Sequence, residues 1–280
     1  MDRIRIVTDS TCDLPAAWIE QFDIRIVPTY VQFGDESLAD DGVQITRAGF
    51  YQRMVSAPIH PTTAAGSVGE SADAIARALD GAEHVIGITA AAQLSGIFNT
   101  FRLAAEETDP ARVTVIDSRQ TTMGLGWQVY VAAEMARDGA SVEAITATLE
   151  GMQPRTDVYA ALDTMEHLRR SGRVGWATAV VGSLFQIRPI VRLHEGVVSA
   201  VARVRTSQRL FDAMVELAHE TAPFDYLAVM HTVNPEGAQR LLEALADIHP
   251  KTPVPIVEAT PVLGVHVGPK GLGLGIVRKA

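Results

Sequence analysis

The sequence predicts an α/β protein of two lobes: a parallel sheet covered by helices over residues 1–154, then a mixed α+β lobe over residues 155–280. Three observations predict it. Short β-rich runs alternate with amphipathic helical stretches through the first half, the pattern of a parallel sheet buried on both faces. Past Pro154 this alternation gives way to a hairpin-like pair of β-rich runs set among helices. The 280 residues, 47% hydrophobic and 20% charged, are enough to give each lobe its own core. No low-complexity linker or internal repeat separates the halves, so they are expected to pack closely, with a ligand site between them.

Taken in order, "RIRIVTD" (residues 3–9) reads as a strand, "LPAAWIEQF" (14–22) as a helix and "IRIVPTYVQF" (24–33) as a second strand. "GESADAIARALDG" (69–81) spaces Ala, Ile and Leu at three and four residues and stops at Gly81, which marks a helix. "HVIGITA" (84–90) is a strand, "GIFNTFRLAAEE" (96–107) a helix and "RVTVIDS" (112–118) a strand. Two helices follow, over residues 122–139 and 141–152. In the second lobe, "VYAALDTMEHLRRSGRVG" (158–175) gives a strand and a short helix ending at Gly172. "IRPIVRLHEGVVSAVARVRT" (187–206) gives a hairpin turning at His194-Glu195-Gly196. A helix (207–222), a strand (225–232) and a helix (235–249) precede "VPIVEATPVLGVHVG" (254–268), which reads as a pair of strands.

Composition excludes several function classes. The formal net charge is −9 and the most basic segment, "EHLRRSGR", is short, so a phosphate backbone is a poor partner. A single cysteine, Cys12, rules out an intrachain disulfide and a CxxC site. No leader-like start and no apolar run of ~20 residues is present, so a cytoplasmic, soluble chain is expected. GxxxxGK[ST], GxSxG and HExxH are missing, GLGLG (271–275) falls after a strand, and the eight histidines are scattered.

In open α/β sheets ligands collect beyond the carboxyl ends of the strands. Thr8-Asp9-Ser10, the turn holding Ser95, and Asp117-Ser118 are expected there. The stretch "GITAAAQLSGIFNTF" (87–101) carries no charged residue and places Ser95 between a strand and a helix. A serine there serves as a helix cap, or its turn holds an anion through free N–H groups and the helix dipole. Neutral walls suit a carboxylate attached to an apolar body.

Nine motifs in sequence order resemble the DegV family over nearly the whole chain. They are "VTDSTCDLP" (7–15), "VP" followed by "FGDESLADDG" (27–42), "PTTAAGSVGE" (61–70), "ITAAAQLSGIFNT" (88–100), "VIDSRQTTMGLG" (115–126), "LRRSGRVG" (168–175), "IRPIVRLHEG" (187–196), "RVRTS" (203–207) and "GVHVGPKGLGLG" (264–275). The resemblance implies a two-lobed DegV-type fold enclosing a long-chain fatty acid. It implies a non-enzymatic role, as the fatty-acid-binding component of a bacterial fatty acid kinase. Such a component presents the carboxylate to a separate ATP-using kinase subunit, and the acyl-phosphate feeds phospholipid synthesis. The bound fatty acid is its ligand, with no cofactor or metal, and membrane contact is transient at most.

Carried over by motif, Thr63, Ser95 and His266 are expected around the carboxylate, and Arg205 at the mouth, facing the partner or its phosphate. Each also has a plain structural role: turn threonine, helix cap, strand-end histidine, solvated arginine. Ala64-Ala65-Gly66, Ala91-Ala92, Val267 and Lys270 depart from the family pattern by trimming polar neighbours. A serine esterase or acyl transferase using Ser95, His266 and Asp9, and a carrier of another amphipathic carboxylate, are the alternatives. Met165, Phe185, Met214 and Met230 are candidates for a tunnel lining or for ordinary core.

Overall fold

A computed structural model describes residues 4–172 and 187–280; the end of the "LRRSGRVG" motif and Phe185 lie outside the described residues. Four parallel strands form the first sheet: β1 (Ile4–Asp9), β2 (Arg25–Val27), β6 (His84–Thr89) and β7 (Val113–Asp117), in the order β2-β1-β6-β7. β1 and β6 are buried almost throughout because helices cover both faces, which is why they read as near-continuous apolar runs. The chain leaves β1 towards β2 on one side and returns to β6 on the other. The gap at the carboxyl ends of β1 and β6 is therefore the switch point of this sheet. Helix α1 (Ala16–Gln21) joins β1 to β2.

"IRIVPTYVQF" is two strands rather than one. It breaks at Pro28-Thr29: β2 stays in the parallel sheet, while β3 (Tyr30–Phe33) pairs antiparallel with β4 (Glu36–Ala39) and β5 (Thr62–Ala64) in a separate three-stranded sheet. Proline has no N–H for the ladder, which is the physical reason for the switch. Val31 pairs with Thr63 in this small sheet. Helix α2 (Arg47–Ser56), not among the expected elements, packs Phe50, Tyr51 and Met54 under it.

Helices α3 (Val68–Leu79), α4 (Ile97–Thr108), α5 (Thr122–Arg137) and α6 (Val142–Met152) match the expected helices. Ser67 and Glu70 close a capping box on α3, and Gly81 (φ +73°) follows its end. Helix α5 touches both large sheets. A Cβ at Gly126 would stand 2.6 Å from the Cys12 carbonyl oxygen, so only glycine lets α5 lie this close to the loop after β1. On the other side Trp127 Nε1 donates to the Gly275 carbonyl at 3.0 Å.

The second large sheet has the order β10-β9-β8-β13-β11-β12: β10 (Val197–Val204), β9 (Arg188–His194), β8 (Thr156–Ala161), β13 (Leu272–Arg278), β11 (Phe224–His231) and β12 (Ile256–Glu258). β9 and β10 form the expected hairpin, with Glu195 and Gly196 both at positive φ in its turn. Alternation along the strands divides two environments. Tyr159, Ile190, Leu274 and Ile276 pack under α8 (Ser207–Thr221) and α9 (Pro235–Ala244), whereas Val158, Ala160 and Gly273 face a cavity on the other side.

Residues 254–268 are not a pair of strands. After β12 the chain forms helix α10 (Pro261–Val267), following the short α7 (Glu166–Arg170) in chain order and packing against it. Pro261 at the first helical turn and Gly268 at φ +74° just past the end are the start and stop signals. The valine-rich "PVLGVHV" masked them. His266 is accordingly a helix residue, and GLGLG follows this helix and lies in β13.

Candidate ligand-binding site

A cavity of about 300 Å³ opens at the β1/β6 switch point, between the two large sheets and α10. Its walls are mostly apolar: Leu94 and Ile97 at the start of α4, Val158 and Leu193 on the second sheet, Leu168 of α7, and Val262 and Leu263 of α10. Among the described residues, no Lys, Arg, Asp or Glu lines it. Met230 lines it too, whereas Met165 and Met214 are ordinary core.

Thr63, Ser95 and His266 all line this cavity. Thr63 is delivered by the register of β5 on β3, and His266 by the helical spacing of Val262, Leu263, His266 and Val267 on one face of α10. Thr63 Oγ1 lies 3.4 Å from His266 Nε2, linking small sheet to helix. Arg205 is exposed and is not a lining residue; Arg188 Nη1 donates to its carbonyl at 3.1 Å.

Ser95 Oγ accepts from the Ile97 backbone N–H at 3.3 Å, so it does help to cap α4, whose own cap residue is Gly96. A hydroxyl has one proton and two lone pairs, and this bond takes only a lone pair. Capping and donating to a ligand are thus compatible at one oxygen.

The sequence reading missed several lining hydroxyls: Thr11, Thr29, Thr122 and Thr232. Each is turned to another partner. Thr11 Oγ1 donates to Asp9 Oδ1 at 2.5 Å, Thr122 Oγ1 to Asp13 Oδ2 at 2.5 Å, and Thr232 Oγ1 to the Gly268 carbonyl at 2.6 Å. Thr29 Oγ1 and Ser10 Oγ are 2.6 Å apart. Their place at strand ends was the available signal; which hydroxyls would be engaged elsewhere depends on tertiary partners.

Burial dominates the electrostatics. It pushes the Asp9 carboxyl up, against the bonds from Thr11 and from Ala90 N at 2.8 Å. Asp13, fully buried beside the switch point, is pushed up to about 6 by burial, opposed by Arg47, Thr122 and Thr260. Asp40 is pushed up to about 7 by burial and by the Asp13 charge. Burial lowers the His231 imidazole at the cavity wall, which favours its neutral form.

The DegV family model, described as an uncharacterised protein family, matches residues 3–279. A DegV domain-containing protein of Deinococcus radiodurans is 36% identical over 280 residues, covering 98% of each chain. A solved DegV family protein from Thermus thermophilus, described for its fatty acid binding, is 30% identical with a TM-score of 0.91, covering 99% of this chain and 100% of its own. DegV of Bacillus subtilis, described as a fatty acid binding protein, is 28% identical with a TM-score of 0.88 over 100% of both chains.

Proposed function

Since the chain belongs to the DegV family, we propose that it binds a long-chain fatty acid and presents the carboxylate to a separate ATP-dependent kinase subunit. The acyl-phosphate made there would feed phospholipid synthesis in the cytoplasm. The observation that carries the reading is the pairing of an apolar cavity with hydroxyls still free to donate into it. Ser95 keeps its proton and Thr63 has only a long contact to His266. Thr63, Ser95 and His266 would hold the carboxylate, and lobes 1–154 and 155–280 would enclose the chain. A tail of about sixteen carbons at ~0.8 kcal/mol per buried CH₂ supplies on the order of 10 kcal/mol before ordering losses, so neutral donors suffice to orient the head. Arg205, exposed outside the cavity, would meet the kinase or its phosphate.

The solved relatives from Thermus thermophilus and Bacillus subtilis are described as binding fatty acids, which supports the ligand class. An esterase reading has less support. The Asp9 carboxylate accepts from Thr11 and from Ala90 N, and His266 Nε2 meets Thr63 Oγ1. Denaturing mass spectrometry of purified protein should release a long-chain fatty acid. Another amphipathic acid in its place identifies the alternative carrier, and protein that is empty in every preparation refutes the proposal.

A further inference from the structure

The motif "VTDSTCDLP" is only partly absorbed by the ligand site. Thr11 lines the cavity, but Asp13, with 2% of its surface exposed, does not. We propose that Asp13 is a positioning residue for the acyl head group: its carboxylate ties the start of α10 to the start of α5 and so sets where His266 stands against Thr63.

Asp13 Oδ1 accepts from Thr260 N, the residue that precedes α10, at 2.9 Å. Asp13 Oδ2 accepts from Thr122 Oγ1, the first residue of α5, at 2.5 Å. Both helices wall the cavity, α5 through Thr121 and Thr122, α10 through Val262, Leu263, His266 and Val267. One buried carboxylate therefore fixes two cavity walls to the loop after β1. Helix α10 is short, so its setting depends on such anchors more than on its own hydrogen bonds.

Behind this loop lies a second cavity of about 650 Å³, lined by Asp13, Asp40, Arg47, Glu258 and Thr260 among others, which gives solvent protons a route to the carboxyl. The groups facing Asp13 are Arg47 of α2, with Nη2 at 3.9 Å, Tyr51 of the same helix, and Asp40 from the segment after β4. Cys12 lies on its own loop and Asp9 at the end of β1; Glu258 of β12 and His231 of β11 interact with Tyr51 and Arg47.

Thr122, Thr260 and Arg47 all donate to or attract the ionised carboxylate. Protonation near pH 6 takes an accepting lone pair from this clamp. The head-group grip is therefore strongest above that pH and relaxes as pH falls through it.

The inference rests on the fatty-acid reading. Its test is the release rate of parinaric acid, a fluorescent fatty acid, from wild type and from Asp13→Asn. The amide keeps the shape and removes the charge. Release from the variant should be about tenfold faster near pH 8, the scale of one hydrogen bond to a charged group. The ratio should fall towards one near pH 5, where wild-type Asp13 is itself protonated; the ligand's own titration cancels in the ratio. A ratio of one throughout, or a ratio unchanged by pH, overturns the proposal. If the variant does not fold, carboxyl NMR on wild type decides: by reciprocity, bound fatty acid should lower the Asp13 titration midpoint, and an unmoved midpoint overturns the inference. Wild type that binds no fatty acid overturns both readings, whereas binding with a ratio of one overturns this one alone.

Discussion

Replacing Ser95 by Ala separates two functions of one oxygen. The hydroxyl accepts from Ile97 N at 3.3 Å and retains its proton for a ligand at the cavity wall. The cap bond is long and Gly96, not Ser95, is the residue that precedes α4, so its loss should cost the ligand-free protein at the low end of the cap range, about 0.5 kcal/mol. The ligand interaction is larger. A carboxylate deprived of one neutral donor in a water-poor site loses about 1.5–3 kcal/mol, a weakening of roughly 10- to 150-fold. Urea unfolding of delipidated protein measures the first quantity, and parinaric acid displacement by an unlabelled fatty acid measures the second. Ligand-loaded protein should show the larger loss of stability, because tighter binding to the folded state alone stabilises it by mass action. An affinity within threefold of wild type, alongside the small cap loss, would return Ser95 to a purely structural role and refute the reasoning.

Thr63→Val keeps volume while removing the oxygen near His266, and should speed fatty acid release about tenfold; unchanged release removes Thr63 from the head-group site. Gly126→Ala should lower the urea midpoint by an amount equivalent to about 1–3 kcal/mol through overpacking against Cys12; an unshifted midpoint contradicts the close seating of α5. Folding stability should fall as pH rises from about 4 to about 7. The folded-state carboxyls of Asp13 and Asp40 stand at about 6 and about 7, above their ordinary value, so the folded protein holds extra protons in that window. Asp40→Asn should flatten this slope in urea titrations. A fluorophosphonate probe should leave Ser95 unlabelled, and labelling there revives the esterase reading.

Local pattern carried most of the first lobe because its strands and helices obey one period each. β6 is an unbroken apolar run, and α3 has a capping box and a terminal glycine, all visible without tertiary knowledge. The failures share a cause. At Pro28 the apolar run continues while the hydrogen-bond partner changes, and no periodicity records a change of sheet. At 261–267 β-branched residues outweighed the proline and glycine that bound the helix, although tertiary packing of Val262 and Val265 against Phe50 decides the matter. For the site, motif resemblance named Thr63, Ser95 and His266, and all three line one cavity. The engaged threonines and Asp13 escaped notice because their importance lies in their hydrogen-bond partners, across separations such as Thr122 to Asp13 and Thr260 to Asp13.

The neutrality of the cavity bears on the proposed hand-over. An arginine beside the carboxylate would hold it more firmly, through two charge-assisted bonds, and would draw electron density from the oxygens that must attack a phosphoryl group. In the proposed complex, hydroxyls from Thr63 and Ser95 would orient the same group while leaving it more nucleophilic, and the apolar tail would provide the retention that a guanidinium otherwise supplies. Introducing a cation at the wall, as in Leu94→Arg, should then separate the two properties. Acyl release should slow while phosphorylation by a fatty acid kinase falls. If both rise together, charge neutrality is not what suits this site to transfer.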